Sequence, residues 1–133
     1  MTPAQLLLVD SREKWTQGGS EDAHLREYFD RHEIPYLIQK LDVGDYALPG
    51  GHIVVDRKQN LEEISKNLLN AMDHTRFLKE VRRAHEAGIQ LVVLIEHGPT
   101  VKKMDDVKTW RSKWTGASGY SLFREMRRLE LSY

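Results

Sequence analysis

The chain opens with an apolar run, Leu6-Leu7-Leu8-Val9, that stops at Asp10. Such a run, closed by an acid, predicts a short buried strand. A turn-rich stretch from Thr16 to Ser20 follows. Ser20 is placed to cap a helix whose first turn carries Glu21 and Asp22, acids suited to the positive end of a helix dipole. Leu25, Tyr28 and Phe29 recur at i, i+3 and i+4 and give that helix an apolar stripe, ending near His32 ahead of Ile34-Pro35. Tyr36 to Leu41 alternates as a second strand. Val43 to Leu48 and His52 to Asp56 flank Pro49-Gly50-Gly51 and predict a hairpin, with β-branched Ile53-Val54-Val55 as a central strand. Leu61, Ile64 and Leu68 predict a helix over 61–69. Phe77, Leu78, Val81 and Ala84 predict another over 75–87, stopped by Gly88. Ile89 to Ile95 is the clearest strand and ends at Glu96. Beyond Gly98-Pro99 the pattern predicts a short helix from Asp105 or Asp106 to Trp110. A loop from Thr115 to Gly119 and a last helix bearing Leu122, Met126 and Leu129 complete it. Strands interleaved with helices predict an α/β fold with one sheet in a single domain, 1–133.

Composition narrows the class. At 133 residues the chain buries roughly two-thirds of its unfolded surface, enough for a real core. Shares of 40% hydrophobic and 30% charged residues exclude a disordered or membrane chain. No apolar run is long enough for a signal peptide or a spanning helix. A cytoplasmic location is therefore expected, nucleoid-associated in a bacterial or phage setting. The absence of Cys excludes a disulfide scaffold, a thiolate zinc site and a Cys nucleophile. The net charge of zero conceals an asymmetry. Residues 1–56 hold 5 basic and 10 acidic side chains, residues 57–133 hold 15 basic and 10 acidic. An acidic site beside a basic surface suits a metal-dependent enzyme acting on a polyanion; scattered solvated charge is the plainer alternative.

Three acids, Asp10, Asp45 and Asp56, fall at the ends of predicted strands, and Lys58 lies two residues past Asp56. Carboxylates held on a rigid sheet repel one another, and a hard divalent cation such as Mg²⁺ or Mn²⁺ relieves the repulsion. Strand alternation points Asp56 and Lys58 to one face and Arg57 to the other. A metal-binding acid beside an ammonium is what phosphodiester hydrolysis requires: the metal polarises the phosphate and acidifies a water, and the lysine offsets charge.

The order of motifs carries more than any one of them. Val9-Asp10-Ser11-Arg12-Glu13, Leu41-Asp42-Val43-Gly44-Asp45-Tyr46, Val55-Asp56-Arg57-Lys58 and Leu94-Ile95-Glu96 together resemble the XPF-type structure-specific endonuclease domain, a branch of the restriction-endonuclease-like superfamily. The resemblance runs from about Leu6 to Glu96. It implies a restriction-endonuclease-like α/β fold, a central mixed sheet flanked by helices, and Mg²⁺- or Mn²⁺-dependent cleavage of DNA at flaps, forks or other branched sites. It implies Asp10, Glu13, Asp45 and Asp56 as metal ligands, with Asp10, Asp45, Asp56 and Lys58 catalytic. Arg57 falls on the basic position of the signature triplet, and Arg76 matches an Arg of the following helix region. The signature begins with Glu where this chain has Asp56, and its later acid, usually Asp, is Glu62. A homodimer is expected by analogy. The family's helix-hairpin-helix module has no room here, and a further strand and helix usual after the segment ending at Tyr133 are expected to be missing.

Other features stay open between two readings. Arg12, Arg57, Arg76, Lys102 and Lys103 are the candidate DNA contacts; Arg57 and Arg76 read alternatively as surface basics, and Lys102 and Lys103 as solvated lysines. Glu96 reads as a partner for Arg57 or Arg12, or as a direct participant. The six His residues show no zinc-ligand spacing. Trp110 and Trp114, interleaved with Lys102, Lys103, Lys108, Arg111 and Lys113, read either as base-stacking aromatics or as a core-facing pair. Set against the nuclease are a catalytically silent DNA-binding or partner module and a non-nuclease interaction domain of a repair or mobile-element complex.

Overall fold

Local apolar periodicity becomes helices and strands close to where the pattern places them. A computed structural model describes residues 5–18 and 22–133, so the expected Ser20 cap lies outside the described residues. The elements are β1 (Leu7–Asp10), α1 (Ala23–Arg31), β2 (Tyr36–Gln39), β3 (Tyr46–Ala47), β4 (Ile53–Lys58), α2 (Leu61–Leu69), α3 (Ala71–Glu86), β5 (Gln90–Ile95) and α4 (Gly119–Ser132). Two 3₁₀ turns, Lys14–Gln17 and Met104–Thr109, join them. The strands form one mixed five-stranded sheet, ordered β2-β1-β3-β4-β5, flanked by helices. β1 runs parallel to β2 and antiparallel to β3, and β3 and β4 make the expected antiparallel hairpin. The chain divides into two compact units, Met1–Asp56 with Ala87–Val92, and Arg57–Glu86 with Val93–Tyr133.

The core of the first unit is aromatic. Val9, Trp15 and Tyr46 are buried, with Leu7, Leu25, Phe29, Tyr36 and Val55 packed against them. Trp15 meets Tyr36 edge-on at 5.3 Å and Phe29 at 5.6 Å, separations at which ring quadrupoles attract. A tryptophan enters the core from so short a turn because its indole finds a partner there: Nε1 donates to Tyr46 Oη at 3.0 Å. The stretch from Thr16 onward is thus preceded by a buried anchor that hydrophobic periodicity does not reveal, since Trp15 stands alone among polar neighbours. Gly44 adopts φ +72°, and a Cβ there would collide with Val54 Cγ1. Only glycine fits this close approach of backbone to β4.

The second unit is helical. Leu61, Ile64 and Leu68 of α2 and Phe77, Val81 and Ala84 of α3 are buried, the stripes that the sequence spacing predicts. α2 packs against α3 and α4. Asn60 caps α2, its Oδ1 accepting from the Glu63 N–H at 2.9 Å, while Glu63 reaches back to the Gln59 N–H at 2.7 Å. α3 begins at Ala71 rather than near Thr75. Asn70 Oδ1 accepts from the N–H groups of Met72 and Asp73, satisfying donors that would otherwise be orphaned. Gly119 starts α4 so close to the preceding 3₁₀ turn that a Cβ would collide with the Val107 carbonyl oxygen. Among the described residues no helix is long and apolar enough to cross a membrane.

Candidate active site

Strand register brings the acids of the first unit together. Val9 pairs with Tyr46 across β1 and β3, and one step further the Asp10 N–H donates to the Asp45 carbonyl at 2.8 Å. Tyr46 pairs with Val55 across β3 and β4, yet the Asp45 N–H also addresses Val55, at 2.8 Å to its carbonyl. Two residues facing one make a β-bulge, led by left-handed Gly44, and a bulge re-aims the side chain it carries. Asp56 is the next residue after Val55. Asp10, at the end of β1, therefore lies opposite Asp45, just before β3, and Asp45 lies against Val55, the residue before Asp56 in β4.

Each acid has its own environment. Asp10 is 2% exposed. Its carboxylate accepts from Arg12 Nε at 2.8 Å and Nη2 at 3.3 Å, and from the Leu41 N–H at 2.9 Å. Arg12 also donates to the Leu41 carbonyl at 2.8 Å, so it ties the end of β1 to the segment after β2. Glu13 is buried and accepts from the Tyr46 hydroxyl at 2.9 Å. Trp15, Tyr46 and Glu13 thus form a relay: indole N–H to phenol, phenol to carboxylate. Trp15 and Tyr46 were not among the candidates from sequence. The available signal was an aromatic two residues after Glu13 and another directly after Asp45. Asp56 is buried, and its Oδ2 accepts no hydrogen bond, although the residue is otherwise engaged.

The second unit holds the basic candidates other than Arg12. Lys58 is buried with Nζ 5.2 Å from the centroid of the Phe77 ring, a cation–π approach. Arg57 is buried, and its Nη1 pairs with Glu96 at 3.2 Å. Glu96 has the arginine partner that was one of its two expected roles. Arg76 is exposed, pairs with Asp73 at 2.9 Å, and lines an open cavity of about 580 Å³ with Lys79, Arg82, Arg83 and Glu86. Lys102 and Lys103 are exposed, their backbone N–H groups bound by Asp106 Oδ2 at 3.0 and 3.2 Å. Those bonds, the Lys102 N–H first, hold the Asp106 carboxyl below the usual aspartate range. Trp110 is half-buried beside His97, whereas Trp114 is exposed, so the two do not form a core-facing pair.

No group of three or more His, Cys, Asp or Glu side chains among the described residues is gathered closely enough to hold a metal ion. The donor set nevertheless fits a hard cation in kind. It consists of carboxylate oxygens alone, and one of them, Asp56 Oδ2, is buried and accepts no hydrogen bond.

Three comparisons bear on this arrangement. The family model of the ERCC4 domain matches residues 9–129. Among solved structures the chain is similar to XPF from Aeropyrum pernix, with a TM-score of 0.59 and 22% sequence identity, covering 96% of this chain and 49% of that one. The chain therefore spans about half the length of that protein, and at this identity the likeness speaks for the fold. No curated protein sequence matches.

Proposed function

Because the chain belongs to the ERCC4 domain family, we propose that it is a divalent-metal-dependent endonuclease that hydrolyses DNA phosphodiester bonds at flaps, forks or other branched sites. The observation that carries the reading is the backbone pairing that puts Asp10 opposite Asp45, and Asp45 against Val55, the residue before Asp56. These three, with Glu13, are the residues that would hold Mg²⁺ or Mn²⁺. When bound, the metal supplies Lewis acidity to the scissile phosphate and a lowered pKa to a water. The protein's own groups do the rest. Arg12 fixes the Asp10 carboxylate, and the Trp15–Tyr46 relay fixes Glu13, so neither must be reorganised during the reaction. Lys58 follows Asp56 by two residues in β4. Its ammonium would offset charge growing on the phosphate oxygens. Arg12, Arg76, Lys102 and Lys103 are the exposed cations proposed to meet the DNA backbone.

The test is cleavage of labelled flap and fork DNA with Mg²⁺ or Mn²⁺. The intact protein cuts, and Lys58→Ala lowers the rate roughly 10²–10³-fold. Activity unchanged by both Lys58→Ala and Asp56→Ala would overturn the reading. One observation favours a second reading, a DNA-binding module without cleavage: both Asp10 oxygens are already bonded to Arg12 and Leu41. Metal-independent binding with no cut product is its mark.

A further inference from the structure

Trp114 is 82% exposed, the highest value among the large hydrophobic side chains of the described residues, while Trp15 is fully buried. Leaving an indole in water forfeits a large apolar burial. The loop that carries it is nonetheless firmly built. Arg111 and Ser118 form an antiparallel bridge, and the Ser112 N–H donates to the Ala117 carbonyl at 2.9 Å. Ser112 is buried, and its Oγ accepts from the N–H groups of Trp114 at 3.2 Å and Thr115 at 3.0 Å. The same hydroxyl donates to Glu62 Oε2 at 2.8 Å, and the Lys113 N–H donates to Glu62 Oε1 at 3.1 Å. A carboxylate at the start of α2 thus clamps the loop from beneath. Below it, the Gly119 N–H donates to the Trp110 carbonyl at 2.6 Å. The loop holds a large aromatic ring out into solvent on a fixed backbone.

The surroundings indicate what the ring meets. Arg111 and Lys113 flank it and are exposed, as are Lys102 and Lys103 of the same unit. A ring among cations suits a polyanion that also offers a flat π face. An unpaired base on a phosphate backbone has both, whereas the bases within a duplex are stacked on one another. We propose that Trp114 is a stacking wedge for an unpaired base at a DNA branch, held in place by Glu62 through Ser112 and Lys113. The inference rests on the nuclease reading and gives it a basis for preferring branched over plain duplex DNA.

The experiment is fluorescence anisotropy in metal-free buffer, where nothing is cut, with a flapped DNA and a blunt duplex of equal length. Trp114→Ala is expected to weaken flap binding roughly 5- to 150-fold, the effect of losing one stacked base, with a smaller change on the duplex. Trp114→Phe restores most of the flap affinity. Unchanged flap binding by Trp114→Ala overturns the proposal, as does an equal loss on both DNAs. So does a loss of self-association by the same variant, which assigns the ring to contact between copies. If the intact protein cuts flaps while Trp114→Ala binds normally, the wedge fails and the nuclease stands. If the intact protein neither binds nor cuts, the nuclease reading fails and the wedge with it.

Discussion

The two compact units divide the charge between them. The first, Met1–Asp56 with Ala87–Val92, holds 10 acidic and 5 basic residues; the second holds 15 basic and 10 acidic. They also present charge differently. Three acids of the first unit are buried, Asp10 at the end of β1, Glu13 just after it and Asp56 within β4, while others such as Glu27 and Glu33 are exposed. Cations of the second unit are largely exposed along helices and turns, as with Arg76, Arg82, Arg83, Lys102 and Lys103, while Lys58 and Arg57 are buried. The contrast follows from what each architecture does well. A sheet lines up residues distant in sequence, which a shared ligand requires. A helix surface displays many residues that are close in sequence, which suits a long charged backbone. On the proposed nuclease reading, the first unit sets the rate and the second, with Arg12 of the first, sets the affinity.

The sharpest way to break that division is Asp45→Asn. Cleavage is expected to fall roughly 10²–10³-fold, while flap affinity in metal-free buffer stays within about twofold. A matching loss of affinity would merge the two roles. Next in size is the aromatic relay. Trp15→Ala is expected to cost about 3–5 kcal/mol in urea unfolding, because it empties a fully buried site and strips Tyr46 of a donor. Tyr46→Phe is expected to cost about 1–3 kcal/mol and to lower the cleavage rate about 10- to 100-fold, since it removes the acceptor of the Trp15 N–H and one hydrogen bond to Glu13. If the rate holds in Tyr46→Phe, the tyrosine hydroxyl is not the group that orients Glu13.

On the basic side, replacing Lys79 and Arg83 together by Gln is expected to lower the slope of log affinity against log salt by about 0.9 for each phosphate that is no longer neutralised. A slope unchanged by the double replacement would remove the cavity from the DNA-binding surface. The smallest effect concerns Asp106. Its pKa is lowered by bonds from the Lys102 and Lys103 N–H groups, so the local order it gives is complete above the ordinary aspartate range. That order is lost as pH falls through the lowered value. Carboxyl titration by NMR, with the two lysine amides followed in parallel, checks the sign; a pKa at or above the ordinary value contradicts it.

Much of the secondary structure could be read from local spacing. The stripe Leu61, Ile64, Leu68 folds as α2, and Ile53-Val54-Val55 lies in β4 with the hairpin partner expected of it. Boundaries moved where side chains cap backbone groups, as Asn70 does for α3. Trp15 was invisible to periodicity, because one apolar residue on a short turn makes no pattern. Trp110 and Trp114 share a spacing but not an environment, since a loop bent by Ser112 and Glu62 separates the half-buried ring from the exposed one.

The sequence alone determined which residues are candidates for the chemistry and in what order: the acids at Asp10, Glu13, Asp45 and Asp56, then Lys58. These are chemical identities and near-neighbour spacings, and both are properties of the chain. Only the tertiary structure decided which acids become neighbours. The order β2-β1-β3-β4-β5 inserts β3 between β1 and β4, and the Gly44 bulge then shifts Asp45 against Val55. The β1–β2 and β1–β3 registers depend on pairings between segments dozens of residues apart. No local pattern encodes those pairings, because their energy appears only when both strands share a core.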